Sequence, residues 1–298
     1  MDEFQTLKQN ASWDISEDAN DTPSLLVVIL DANPASWYSL SKKVPVSKVL
    51  ADITVFLNAH LAFHHDNRVA VLASHSDKVE YLYPSIAPEQ KVAEVDPTKE
   101  ANTYRKFREV DDLVLSGMKR LMSSTDKVSR KTMISGALSR ALAYINQVQN
   151  KNTLRSRILI FSLTGDVALQ YIPTMNCIFC AQKKNIPINV CNIEGGTLFL
   201  EQAADATGGI YLKVDNPKGL LQYLMMSLFP DQNLRKHLNT PNQANVDFRA
   251  TCFCHKKVLD IGFVCSVCLS IFCEPRVHCS TCHTKFTDQT ISLRGIHK

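Results

Sequence analysis

From Ser24 onward, short continuous apolar runs alternate with longer stretches in which apolar residues recur every three or four positions. The first pattern suits strands buried on both faces and the second suits helices that cover them, so the alternation predicts strands and helices around a mainly parallel sheet. Residues 25–30 read as a central strand that stops at the turn signal Asp31-Ala32-Asn33-Pro34. Leu50, Ile53, Leu57 and Leu61 form the first helical stripe. Residues 68–74 and 78–83 predict an antiparallel hairpin, and the polar segment 84–109 predicts a surface loop. Val114, Met118, Leu121 and Met122, and then Ile134, Leu138, Ala141, Leu142, Ile145 and Val148, predict two more helices across the polar connection 123–131. Strands at 157–163 and 188–193 end at Thr164-Gly165-Asp166 and Glu194-Gly195-Gly196, with Asp166 placed to cap the next helix. A helix stopping at Gly208-Gly209, a strand over 210–214 and a helix carrying Leu220, Leu224 and Leu228 bring the pattern to Pro230.

This divides the chain into a polar, mobile tail (1–22), an α/β domain (23–230), a linker (231–245), a cysteine-rich module (246–286) and a second tail (287–298). A chain of 298 residues, 45% apolar, is long enough for one full core plus a small appended module. No continuous apolar run approaches the roughly 20 residues of a membrane span, and the acidic, polar start has no secretory pattern, so a soluble protein with no membrane partner is expected. Residues 1–230 carry 24 basic and 24 acidic groups and residues 231–298 carry 9 and 5, which places the whole excess in the cysteine-rich end. That surplus is too small to argue for autonomous DNA binding.

Cys252, Cys254, Cys265, Cys268, Cys273, Cys279 and Cys282 follow the pattern C-x-C-x10-C-x2-C-x4-C-x5-C-x2-C. Two C-x2-C knuckles, Cys265/Cys268 and Cys279/Cys282, supply the four thiolates that tetrahedral zinc requires. A disulfide framework would need an oxidising compartment and is set aside. Cys252, Cys254 and Cys273, with His255, His278 or His283 as fourth donor, offer a second interleaved site, so one zinc ion or two are expected. Four protein thiolates leave no open position for an activated water, and no P-loop, dinucleotide fingerprint or Gly-x-Ser-x-Gly elbow is present; a non-enzymatic role follows. Cys177, Cys180 and Cys191 read as buried structural thiols, and His64-His65 as surface histidines without partners at ligand spacing.

In a doubly wound sheet the ligand crevice lies beyond the carboxyl ends of the strands, where Asp31, Thr132 and Asp166 converge. This constellation resembles that of von Willebrand factor A domains, whose first strand ends in Asp-x-Ser-x-Ser around a magnesium ion. Here Asp31-Ala32-Asn33-Pro34-Ala35 lacks both serines. The crevice is therefore expected to be empty of magnesium, with Asp31 and Asp166 bonding loop amides or capping helices, and replacing Asp31 is expected to leave assembly nearly intact.

Val28 to Pro34, Ala168-Leu169-Gln170-Tyr171, Gly208 to Val214, Leu220 to Leu224, Cys252-Phe253-Cys254-His255 and Gly262 to Cys273 together resemble the small von Willebrand A-like, zinc-finger subunit of the TFIIH core. The resemblance runs from about residue 25 to 286. It implies a nuclear, non-catalytic scaffold in RNA polymerase II transcription initiation and nucleotide excision repair. Its implied partners are the larger A-domain and zinc-module subunit and the other core subunits, with direct nucleic-acid contact left open. The alternative is a RING-like ubiquitin ligase or adaptor, whose signature needs eight donors where seven cysteines and a histidine stand.

Overall fold

The computed structural model describes residues 22–84, 104–123, 132–151, 154–165, 171–195, 198–235, 237–239, 246, 248–255, 258–268 and 270–286. The two tails, apart from Thr22, most of the loop at 84–109, and Asp166 lie outside the described residues.

Six strands form one sheet: β1 (Ser24–Asp31), β2 (Arg68–Ser74), β3 (Val79–Tyr83), β4 (Arg155–Ser162), β5 (Ile188–Asn192) and β6 (Tyr211–Lys213). Their spatial order is β3-β2-β1-β4-β5-β6, with β3 antiparallel to β2 and every other pair parallel. This is the expected doubly wound, mainly parallel α/β sheet with one antiparallel edge. The continuous apolar run of β1 is explained by its two covered faces. Leu26, Val28 and Leu30 enter the core beneath α1 (Pro34–Ser41), α2 (Val46–Phe63) and α3 (Arg105–Ser123). Leu25, Val27 and Ile29 enter the opposite core, beneath α4 (Ile134–Gln149), α5 (Tyr171–Lys183) and α6 (Leu198–Thr207).

Several elements differ from the pattern reading. Asp31-Ala32-Asn33-Pro34 does not simply turn: Asn33 Oδ1 accepts from Ala35 N at 3.0 Å and Pro34 takes the first helical position, starting α1. The helix buries Trp37 and Leu40, three residues apart. Helix α3 begins at Arg105, inside the predicted loop; its first turn is charged, and before Val114 only Phe107 and Val110 mark its apolar side. Helix α2 passes a length-and-composition test for a membrane span, yet Val49, Ile53, Phe56, Leu57 and Leu61 all face the core.

Gly208, at φ +66°, ends α6 in the left-handed conformation. At Gly209 a Cβ would lie 1.9 Å from Ile188 O, so only glycine allows this close passage beside β5. The helix predicted over Leu220 to Leu228 starts as α7 (Leu220–Tyr223) and widens into a π turn, Leu224–Leu228. Its carbonyl end is capped from the β4 strand that it covers. Arg157 Nη1 donates to Leu228 O, Phe229 O and Pro230 O at 3.2, 3.0 and 3.2 Å. Arg235, in α8 (Gln232–Arg235) within the stretch read as linker, donates to Pro230 O and Asn189 Oδ1, each at 2.9 Å.

The cysteine-rich module is built from two short ribbons, β7 (Ala250–Thr251) with β8 (Val258–Leu259), and β9 (Phe263–Val264) with β10 (Ile271–Phe272). Its buried cluster is Cys265, Phe272 and Cys279, with Phe253 and Phe286 packed against it. One phenylalanine between cysteines is too little apolar burial to hold a fold, so the module needs a staple.

Candidate metal centres

Each strand of the β9–β10 ribbon runs into a candidate metal ligand. Cys265 follows β9, with its N–H donating to Ser270 O at 2.9 Å, and Cys273 follows β10. The ribbon thereby separates two groups. Cys265, Cys268, Cys279 and Cys282 form one, and Cys252, Cys254, His255 and Cys273 the other, with the ligand atoms of each within 4.8 Å of one another. Of the three histidines open to choice in the sequence, His255 is the one whose ring lies among Cys252, Cys254 and Cys273. His278 is bridged to Lys285, and His283 follows the second knuckle at φ +59°.

The spacings fit tetrahedral zinc. Zinc–sulfur bonds of about 2.3 Å place two thiolates roughly 3.8 Å apart. Cys265 Sγ and Cys282 Sγ are 3.7 Å apart, Cys268 Sγ and Cys279 Sγ 3.5 Å, and Cys254 Sγ and Cys273 Sγ 3.3 Å. A disulfide would require about 2.05 Å, and none of the ten cysteines is joined in one. His255 Nδ1, 3.1 Å from Cys273 Sγ, completes the second group. Backbone amides point at the sulfurs: Thr281 N and Cys282 N each donate to Cys279 Sγ at 3.4 Å, and His255 N to Cys252 Sγ at 3.4 Å. The Thr284 hydroxyl, 3.1 Å from Cys282 Sγ, and the Thr284 backbone bring that thiol down to about 6. Cys254 and Cys282 are thereby held towards thiolate, the form a metal binds, while their sulfur neighbours Cys273 and Cys268 are pushed up to about 11, so within each group the thiols share protons when no cation is bound.

The crevice above the sheet has different chemistry. Asp31 is 1% exposed, and burial raises its carboxyl above the usual range despite its hydrogen bonds. Its Oδ1 accepts from Asn33 N at 3.0 Å, and its Oδ2 accepts from Leu163 N at 3.2 Å, Thr164 N at 2.9 Å and Thr164 Oγ1 at 2.6 Å. Since Thr164 Oγ1 gives its proton to Asp31, the Thr132 hydroxyl 2.8 Å away must be the donor in that pair. Three protein donors crowd Oδ2 and a fourth takes part of Oδ1, and burial raises the carboxyl towards its neutral form, so these residues do not fit a magnesium ion, which needs an ionised and available oxygen. The adjoining crevice, about 740 Å³, is lined by Tyr38, Lys42, Thr164 and Glu194 among others, with Lys43 Nζ 2.9 Å from Glu194 Oε1. The third predicted member, Asp166, lies outside the described residues.

Other candidates separate under burial. Cys177 and Cys191 are buried, and burial pushes both thiols up, but Cys180 is exposed, a correction to its reading as a buried thiol. It falls three residues after Cys177 on α5, and the residues facing outward there are set by helix packing. His64 and His65 gain a neighbour the spacing did not suggest: Asp66 Oδ1 is 3.0 Å from His65 Nε2. Asp66 N donates to His64 Nδ1, and His65 and Asp66 are exposed, so the trio is a solvated turn. Sequence reasoning missed Arg157, a charged residue within an apolar strand, whose only sequence signal is that anomaly.

The family described as transcription factor Tfb4 matches residues 23–283. The chain is 99% identical over 294 residues, 99% of each sequence, to the general transcription and DNA repair factor IIH subunit tfb4 of Schizosaccharomyces pombe. It is 36% identical to the corresponding TFB4 subunit of Saccharomyces cerevisiae, over 91% of this chain and 88% of that one. Among solved structures it is similar to the TFIIH p34 N-terminal domain, at 39% identity and a TM-score of 0.60, over 70% of this chain and 98% of that chain. None of these relatives supports the ubiquitin-ligase alternative.

Proposed function

The chain belongs to the transcription factor Tfb4 family, and from that premise we propose that it is a non-catalytic scaffold subunit of the TFIIH core, working in transcription and nucleotide excision repair. The observation that carries this reading is the extent of the family match, which spans the α/β domain and the cysteine-rich module together. A nuclear location follows from such a role. Within the core the partner we assign is the larger subunit that has its own A domain and zinc modules.

The module's part is mechanical. Cys265, Cys268, Cys279 and Cys282 would hold one zinc ion and Cys252, Cys254, His255 and Cys273 a second. Bound there, zinc supplies a coordination cross-link in place of a hydrophobic core, and four protein ligands at each ion leave no site for substrate. The ligands alternate along the chain, so the β9–β10 ribbon is clamped at both ends. The α/β domain contributes a rigid platform whose crevice carboxylate is spent on its own loops.

Native mass spectrometry of the full chain co-expressed with the other core subunits tests this. The expected result is one copy of the chain carrying two zinc ions and bound to the larger A-domain subunit. A folded chain without zinc, or one that joins none of the core subunits, would overturn it.

A further inference from the structure

At the edge of the sheet opposite the Asp31 crevice, where the parallel strands begin, three arginines converge on a notch of about 20 Å³. Arg155 and Arg157 come from β4 and Arg235 from α8, and Ser24 at the head of β1 and Asp231 line it with them. Arg157 is 7% exposed and Arg235 is half-buried. Both guanidinium groups bond to neutral acceptors: the carbonyls of Leu228, Phe229 and Pro230, with Asn189 for Arg235 and His60 for Arg157. Arg157 Nε is buried with no hydrogen-bond partner among the described residues. Asp231, the one acidic side chain lining the notch, lies 3.7 Å from Arg155 Nη1. Burial, and then Arg235 beside it, hold the Arg157 guanidinium down to about 10. Cations removed from water need a counter-charge, and three arginines around one carboxylate leave the notch short of negative charge.

Size and position identify what can supply it. A space of about 20 Å³ has room for one or two oxygen atoms, the size of a carboxylate edge and less than a phosphate group. The chain itself enters the sheet along the rim of this notch. Arg155 N donates to Pro23 O at 3.2 Å, and Ser24 N and Ser24 Oγ donate to Asn67 Oδ1 at 2.8 and 3.2 Å. Just before this anchored entry the sequence carries Glu17, Asp18 and Asp21, with no lysine or arginine between Lys8 and Lys42. An extended chain covers at most about 3.6 Å per residue, which keeps Asp21 within about 11 Å of Ser24 and Glu17 within about 25 Å. These carboxylates are tethered beside the three arginines at an effective concentration on the order of millimolar.

We propose that the notch is a carboxylate-binding site whose ligand is this chain's own acidic segment, residues 17–21, seated on Arg155, Arg157 and Arg235. The contact joins the amino-terminal segment to α8, the first element beyond the α/β core, and so fixes the root of the stretch that leads to the cysteine-rich module. Because it lies within one chain, it is independent of the scaffold reading.

The test is amide hydrogen exchange on the full chain at low salt, comparing the natural protein with the combined variant Glu17→Gln, Asp18→Asn, Asp21→Asn. Exchange over residues 228–235 should become about tenfold faster, the worth of one hydrogen bond between charged groups, while β2 keeps its rate. High salt should bring the natural chain most of the way to the variant. The conservative set Glu17→Asp, Asp18→Glu, Asp21→Glu should keep the natural rate. The side chain of Arg155 is 43% exposed, so Arg155→Gln is a tolerable change, and in that background neutralising the segment should have a smaller effect. Any of four results overturns the proposal. They are exchange in the neutralised variant equal to that of the natural chain, acceleration spread evenly over the domain, an effect of the same size with and without Arg155, or protection of residues 228–235 in the natural chain by added chloride or inorganic phosphate at low concentration, which shows a notch open to free anions.

Discussion

Thr164 Oγ1 stands 2.6 Å from Asp31 Oδ2 and, with its own backbone N–H at 2.9 Å, closes the end of β1 onto the end of β4. Thr132 extends the same chain of hydroxyls by one member. Hydrogen bonds linked in series inside a dry site reinforce one another, so these loops are held by a small network that leads from one sheet end to the next.

Replacing Asp31 therefore acts on stability. Asp31→Ala leaves the N–H groups of Asn33, Leu163 and Thr164 without their acceptor, a cost of about 2–4 kcal/mol read from the urea midpoint. Assembly is retained at temperatures where the domain stays folded. Added magnesium should leave the midpoint of the natural chain unmoved; a clear rise would show that the crevice binds it.

His60 sets an acid limit. Burial, and then the Arg157 guanidinium 3.4 Å from its Nδ1, hold its imidazole down from 6.5 to about 3. The unfolded chain takes up this proton first, so the stability from keeping His60 neutral is intact above pH 6.5 and is lost as pH falls towards 3. The slope is up to about 1.4 kcal/mol per pH unit. In urea titrations at a series of pH values, His60→Gln should flatten the profile over this window. An unchanged slope would mean that other groups carry the acid sensitivity.

Arg157 brings one guanidinium nitrogen, Nη1, to the helix end and the other, Nη2, to 3.4 Å from His60 Nδ1, a two-headed reach that the shorter, single ammonium of lysine cannot copy. Arg157→Lys keeps the charge and loses most of the bonds to Leu228 O, Phe229 O and Pro230 O, at a cost of about 2–3 kcal/mol. Amide hydrogen exchange should accelerate over residues 224–235 before it does in β1 or β4. Uniform acceleration across the domain would contradict a local cap.

The two metal clusters should come apart in a controlled order. Cys282→Ser removes a ligand of the four-cysteine group around the module's buried cluster, so zinc per chain falls and the module unfolds. His255→Ala removes an exposed ligand from the other group and should lower the count by one ion while the β9–β10 ribbon survives. Elemental analysis paired with amide exchange distinguishes the two variants; equal damage from both would show that the sites fold as one unit.

Much of this molecule was determined along the chain itself. Hydrophobic pattern placed β1, β2, β4, β5 and the helices over 46–63 and 134–149, because an apolar run or stripe is a local property of neighbouring residues. Cysteine spacing likewise marked the four-thiolate group, since a knuckle needs only two residues between its ligands. Other features required the chain to be folded back on itself. Which histidine lies with Cys252, Cys254 and Cys273, why Arg157 belongs inside a strand, and that Asp31 Oδ2 is taken by Thr164 and Leu163 all depend on contacts between residues far apart in sequence. Periodicity and spacing record which face a residue occupies. Only the tertiary structure decides what it meets there, because hydrogen bonds and coordination depend on distances of a few ångströms that no one-dimensional pattern contains.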